Sequence, residues 1–501
     1  MNSSERFQEY RRQVREIHDL GGALALLGWD QEVTLPRGGV SSRARQRAAL
    51  ATVIHERTVT ARLGELIEEL AADSLDAFDA ADVREMKRIR DRAVRIPSDL
   101  VAAKAKAESL AQEAWVQARS DDDWPRFEPH LERLLGLKKR EAEAVGYEEE
   151  AYDALLDEFE PGARVSKLIP LFAGLRRELT GLLAELRAAA QPPSPDVLRR
   201  EYDPAVQEVI SRKLLQDVGF DFERGRLDTS AHPFTQGLAP GDVRVTSRFD
   251  PNDLSMGLYA TLHEGGHALY EQGLPREYEG QAVGQAVSLG IHESQSRLWE
   301  NLVGRSRPFF HYLRPLLAEA FPAQIDGVGE EDLFRAANVV EPGAIRIQAD
   351  EVTYNLHIIL RLELERALLR GELAVADVPG LWREKMRQDL GVTVTNDRDG
   401  ALQDIHWAFG VFGYFPTYTL GNLYAAQIFE RARSELTDLD DQVARGEFAP
   451  LLGWLRREIH ARGSLLRPGE LCQQVSGRPL EITPYLDYLR GKFRAIYGVA
   501  T

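Results

Sequence analysis

The sequence predicts a mainly α fold: a large helical body with a small β-sheet beside one central helix. Three observations carry this. Apolar residues recur at spacings of three and four, with few glycines or prolines, from about Ser3 to Ala188 and again through most of the chain after Ile291. A short stretch, Asp242 to Phe249 (DVRVTSRF), alternates instead with period two. Directly after it, Met256 to Gly273 (MGLYATLHEGGHALYEQG) returns to helical spacing.

Taken in order, the N-terminal helices break at Leu35 to Gly39, Ile96-Pro97-Ser98, Ser120 to Pro125 and Glu160-Pro161-Gly162, where proline and glycine concentrate. Trp29-Asp30, near the end of the first long helix, reads as a packed ring with a cap. Gln191 to Pro195 (QPPSP) is the candidate boundary or exposed loop. A helix at about Pro204 to Val218 follows, then turn-rich alternation at Gly225 to Asp228, His232-Pro233-Phe234 and Asp242 to Phe249. A strand edge beside the central helix is suited to holding an extended peptide by main-chain hydrogen bonds. Beyond it the spacing predicts helices over Ile291 to Val303, Ile345 to Leu369 and Asp404 to Arg433, the last rich in glycine and aromatics in its first half. No internal repeat or low-complexity segment is present.

The length of 501 residues allows several domains or one large helical body, and nothing resembles a long linker. A net charge of -17 and a pI near 5.3 argue against nucleic acid and anionic membrane as partners. The single cysteine, Cys472, excludes an intrachain disulfide and cysteine-rich zinc sites, so any metal has to be held by histidine and carboxylate. The opening segment is charged from its fifth residue, with no signal-peptide core and no run of about 18 apolar residues anywhere. A cytoplasmic location is expected.

The central helix carries HExxH. His263 and His267 lie four residues apart, one helical turn, so both imidazoles leave one face. Two neutral imidazoles at that spacing suit two corners of a tetrahedral Zn2+ site, and Glu264 suits a general base acting on metal-bound water. Leu254, Leu258, Leu262 and Leu269 fall on a flank nearly opposite, free to pack. Gly265 and Gly266 each cost a helix about 1 kcal/mol relative to alanine, so close approach of another backbone or of substrate is expected there. Glu293 is the expected third ligand, because a second helix approaches the metal from another direction. Glu271, four residues after His267, would put three ligands in a row along one helix. His292 adjoins Glu293 but points about 100° away.

At this point the chain resembles the carboxypeptidase Taq family of zinc-dependent metallocarboxypeptidases. The resemblance spans nearly the whole sequence and rests on His232-Pro233-Phe234, Asp242 to Thr246 (DxRxT), His263 to His267, His292 to Arg297 (HESQSR), Ile345-Arg346 to Ala349-Asp350 (IRxxAD) and Gly400 to His406-Trp407 (GxxQDxHW). Trp29-Asp30 to Pro36 also resembles the family's N-terminal signature, with Leu35 in place of methionine. The resemblance implies an almost wholly helical fold with a deep substrate groove, in one metallocarboxypeptidase domain over 1–501, with 1–190 lining the groove and 191–501 carrying the metal site. It implies a homodimer that removes single residues from peptide C-termini with broad specificity. It carries over His263, His267 and Glu293 as metal ligands and Glu264 as base, with Zn2+ or Co2+ as the ion; imidazole and carboxylate do not separate the two sharply. His406 followed by Tyr418 resembles the oxyanion pair of related helical zinc peptidases, the alternative being that Tyr414 and Tyr418 are core aromatics. Recognition of a free C-terminal carboxylate calls for a guanidinium, for which Arg346, Arg398 and then Arg244 are the candidates. Asp350 or Asp404 is expected to orient a ligand histidine. Two other readings remain: a helical zinc oligopeptidase cutting internal bonds, and a helical scaffold with an inactive site.

Overall fold

The computed structural model describes Ser3–Val499. Helix makes up 69% of the protein, so its interior has to be built almost entirely from helix faces. The chain divides into two compact units, each assembled from three separate segments. The first comprises Met1–Val94, Ser194–Ala337 and Tyr424–Leu480; the second comprises Arg95–Pro193, Asn338–Leu423 and Glu481–Thr501. Among the described residues no helix is long and apolar enough to cross a membrane.

In the first unit, α1 (Ser3–Val33) buries Tyr10, Val14 and Ile17 against Leu63, Leu66, Leu70 and Met86. The Tyr10 hydroxyl, at the centre of this apolar cluster, donates to the Asp82 carbonyl at 3.1 Å, so the ring is buried without losing its hydrogen bond. The expected breaks before Arg37, Ser98, Trp124 and Val165 are present. A further one, between Ala71 and Ala77, has no glycine or proline to announce it. It is made by side-chain chemistry, the Asp76 carboxylate accepting from the Asp79 amide at 2.9 Å to start the next helix.

The small sheet consists of β1 (Gly225–Thr229), β2 (Thr235–Ala239) and β3 (Asp242–Ser247) in the order β1-β3-β2, with β1 parallel and β2 antiparallel to β3. Val243 and Val245, the alternating apolar positions, are fully buried, and β2 lies at the edge. Seven residues after the end of β3, α2 (Leu254–Gly273) begins, capped by the Asp253 carboxylate, which accepts from the Ser255 amide at 2.8 Å. Leu254, Leu258, Leu262 and Leu269 are all buried, as their spacing predicts. Helix α3 (Leu289–Arg297) starts at a Ser288 cap and runs on as wider π-helical turns through Val303. The two glycines of α2 now have their reason. A Cβ on Gly266 would lie 2.5 Å from the Gln295 carbonyl oxygen and 2.6 Å from the Ser296 Cα, so α2 and α3 touch backbone to backbone. One on Gly265 would meet Leu215 at 2.6 Å.

Two helices begin later than their spacing suggests. Helix α4 is Tyr354–Arg370, not Ile345 onward, because the Asp350 carboxylate takes the Val352 and Thr353 amides and holds the preceding residues in a turn. Helix α5 is Pro416–Glu435, not Asp404 onward. Gly410 and Gly413 adopt φ of 66° and 86°, in the left-handed region, and a Cβ on Gly413 would lie 2.7 Å from the Leu155 carbonyl carbon. The glycine- and aromatic-rich stretch is therefore a tight turn whose side chains mimic a helical period.

Candidate metal centre

Helices α2 and α3 bring His263, His267 and Glu293 together in the first unit. Their donor atoms lie within 4.8 Å of one another, the His263 and His267 Nε2 atoms 3.6 and 3.4 Å from Glu293 Oε2. A tetrahedral zinc site with bonds of 2.0–2.1 Å places its donors roughly 3.4 Å apart, so these separations fit a metal ion with little rearrangement.

The remaining atoms of each candidate ligand are held in the way a metal site would need. His263 Nδ1 lies 2.9 Å from the Glu300 carboxylate, which Arg297 and Arg305 hold in turn. His267 Nδ1 lies 3.1 Å from the His292 carbonyl oxygen and 2.6 Å from His292 Nδ1. Both Nε2 atoms are thereby turned toward Glu293. Glu293 Oε1 accepts from Arg297 Nε at 2.7 Å. Burial raises the Glu293 pKa, but Arg297 and the two imidazoles outweigh it, so the carboxylate is ionised well below its ordinary range. Burial pushes His267 down to about 3, which keeps it the neutral donor that metal binding needs. At His263 burial acts in the same direction, and Glu293 and Glu300 more than reverse it.

Glu300 is a residue of this cluster that sequence reasoning missed, the orienting role having been expected of Asp350 or Asp404. Those two carboxylates are engaged elsewhere, Asp350 at the start of α4 and Asp404 by two arginines. The signal was present: Glu300 follows Glu293 by seven residues, two turns along the same face. Glu271 stays out of the ligand cluster, its Oε1 lying 2.7 Å from His292 Nε2 and its carboxyl packed where a Cβ on Gly237 would sit. Glu264, between the two histidines, is buried, and that burial raises its pKa toward the range in which a base accepts and returns protons near neutral pH.

A second cluster forms in the second unit. His406 Nε2 lies 3.3 Å from the Tyr418 hydroxyl, and the Arg346 guanidinium sits 4.9 Å above the Tyr418 ring. Phe412 and Phe415 are the core aromatics here, whereas Tyr414 and Tyr418 are half-buried. Burial, reinforced by Arg346 and Arg361, pushes His406 down to about 4, so its ring is neutral at working pH.

Arg346 donates through Nε and Nη2 to Asp404 at 3.0 and 2.8 Å and through Nη1 to the Tyr354 hydroxyl at 3.2 Å. Arg361, with no exposed surface, donates to the other Asp404 oxygen at 2.6 Å. Two buried guanidinium groups thus share one carboxylate, leaving a net positive charge. Gln403 fixes the group by accepting from the Arg346 amide and Arg361 Nη2, both at 2.8 Å.

The other two arginines are engaged differently. Arg398 is exposed and donates to the Arg119 and Ser120 carbonyls, while the Asp122 carboxylate accepts from the Asp397 and Arg398 amides, so the two loops clasp each other. Arg244 forms two hydrogen bonds to Asp242, both 3.0 Å, and lies 4.5 Å above the Trp29 ring. Neither is brought into the group of Arg346, His406 and Tyr418.

Comparison with known proteins places this geometry in context. The family model described as carboxypeptidase Taq (M32) metallopeptidase matches residues 9–493. Thermostable carboxypeptidase 1 of Thermus thermophilus is 48% identical over 504 residues, 98% of each chain. Carboxypeptidase 1 of Bacillus subtilis is 37% identical, again over 98% of both. Among solved structures, an M32 carboxypeptidase from Deinococcus radiodurans R1 is 40% identical and superposes with a TM-score of 0.96, covering 99% of this chain and all of that one.

Proposed function

The chain belongs to the carboxypeptidase Taq family of metallopeptidases, and from that premise we propose a metal-dependent carboxypeptidase that releases single amino acids from peptide C-termini with broad side-chain tolerance. His263, His267 and Glu293 hold the ion, Zn2+ with Co2+ also accommodated by these donors. When bound, such an ion supplies Lewis acidity that makes a water acidic near neutral pH and polarises the scissile carbonyl. Glu264 accepts the proton of the attacking water and delivers it to the leaving amine. The neutral His406 imidazole and the Tyr418 hydroxyl donate to the developing oxyanion. We read residues 1–501 as one functional domain, because each compact unit needs three separate stretches of chain.

The observation that carries the exopeptidase reading is the unbalanced pair of buried arginines. Two guanidinium groups against the single Asp404 carboxylate leave one buried positive charge, which is costly unless an anion completes it. A peptide's C-terminal carboxylate is such an anion, and the Arg346 edge formed by Nη1 and Nη2 retains hydrogens to receive it.

N-blocked dipeptides should be cleaved as free acids, lose cleavage with a chelator and regain it with added Zn2+ or Co2+. Arg346→Ala should raise KM, lower kcat/KM and weaken discrimination between a free acid and its amide, whereas Arg398→Ala should preserve that discrimination. Cleavage inside an end-blocked peptide would favour the oligopeptidase reading, and an unchanged acid preference in Arg346→Ala would move the receptor elsewhere, with Arg244 next to test.

The family resemblance also supports a homodimer. Light scattering at micromolar protein should give twice the chain mass of 56.3 kDa, and a monomer mass would refute it. We also read the protein as cytoplasmic, which cell fractionation tests.

A further inference from the structure

His406 and Tyr418 face each other from different elements, joined by a turn with two glycines at positive φ. Such a turn does not define its own geometry, so something outside it has to. Helix α4 supplies Glu365, fully buried and with no ion-pair partner among the described residues. One carboxylate oxygen accepts from the Trp407 indole N–H at 2.9 Å; the other accepts from the Gly413 amide at 3.0 Å and the Tyr152 hydroxyl at 2.7 Å. Trp407 adjoins His406, and Gly413 lies at the far end of the same turn.

The choice of an acid here needs explaining. A carboxylate buried among neutral donors is costly, and burial pushes Glu365 up to about 7. Glutamine would avoid that cost, but its amide has one acceptor oxygen, while the N–H groups of Trp407 and Gly413 approach from two sides. A carboxyl group, unlike an amide, presents an oxygen to each of them. The residue is therefore suited to bracing both flanks of the His406 segment at once.

We propose that Glu365 is a positioning residue for the peptidase reaction, setting the His406 imidazole against the Tyr418 hydroxyl by holding Trp407 and Gly413. This rests on the reading of His406 and Tyr418 as oxyanion donors. In Glu365→Gln the amide has to turn an N–H toward one of those two donors. The segment then shifts, and misplacement of about 1 Å is enough to cost up to 10²-fold.

The test is kinetic and structural. Glu365→Gln should lower kcat roughly 10- to 100-fold with little change in KM or bound metal, and its crystal structure should show the His406–Tyr418 separation changed. Adding Trp407→Phe removes the N–H that the amide opposes, so the double variant should recover part of the lost kcat, a rescue that a general loss of stability would not show. Glu365→Asp, which keeps the charge but draws both oxygens back by one methylene, should also lower kcat and serves if the glutamine variant does not fold. Wild-type kcat in these variants while His406→Ala is impaired would overturn the proposal. Wild-type kcat in His406→Ala would instead overturn the oxyanion reading, and an unshifted turn in the Glu365→Gln structure would overturn the positioning role independently.

Discussion

Glu264→Gln will lose activity by about 10²-fold or more while its metal content stays at the wild-type level. The substitution keeps the size and polarity of a buried side chain between His263 and His267, so α2 has no reason to move. What it removes is a basic oxygen. Burial raises the Glu264 pKa, which brings the carboxyl closer to the pH at which it must both take and return a proton. An amide does neither. Turnover near wild type, with metal analysis and peptide hydrolysis measured on one preparation, would assign the base to another residue.

Glu293→Ala will fail to retain its metal ion, and Glu271→Ala will retain it. Removing Glu293 takes away the donor that approaches from α3 and leaves two imidazoles on one helix, with no anion to offset the ion's charge. It also takes from half-buried Arg297 the carboxylate that its Nε donates to at 2.7 Å. A loss of thermal stability should accompany the loss of metal. Glu271 is placed otherwise: it lies 2.7 Å from His292 Nε2, one residue removed from the ligands, so its loss reaches the metal only through His292. Losing a group that supports a metal site from outside typically costs 10- to 100-fold in affinity, which leaves a tight site occupied at micromolar metal. Metal analysis after gel filtration distinguishes the pair, and the reverse pattern would sink the ligand assignment.

What the sequence disclosed depended on how far apart the interacting residues are along the chain. A four-residue spacing on a helix places two histidines on one face without knowledge of the fold, and the geometric objection to three ligands on one helix was enough to prefer Glu293 to Glu271. Glu300 follows the same rule, seven residues from Glu293, yet its partner His263 is 37 residues away on another helix and cannot be inferred from periodicity. Arg346 illustrates the same limit, since Asp404 is 58 residues distant, and so does Arg398, whose carbonyl partners at Arg119 and Ser120 are nearly 280 residues away. The late start of α5 has a different cause. Aromatics in a turn with positive-φ glycines repeat at three and four residues as they would on a helix, and only the backbone tells the two apart.

The threading of each unit from three segments bears on how the protein is made. In the second unit the helix Thr483–Tyr497 is tied to Val165–Arg187 by the pairs Arg490–Glu178 and Arg494–Glu185, across 312 and 309 residues. Its Tyr497 hydroxyl also accepts from the Val340 amide, 157 residues back. At ribosomal speeds of about 5–20 residues per second, the earlier partners of these contacts wait tens of seconds for the last helix to emerge. During that interval the apolar faces of the second unit have no finished core to enter, and closing loops of this length carries an entropy cost before any contact rewards it. Completion of the second unit then waits for the synthesis of one late helix, so the unit that contains Arg346 and His406 is the last whose chain is finished.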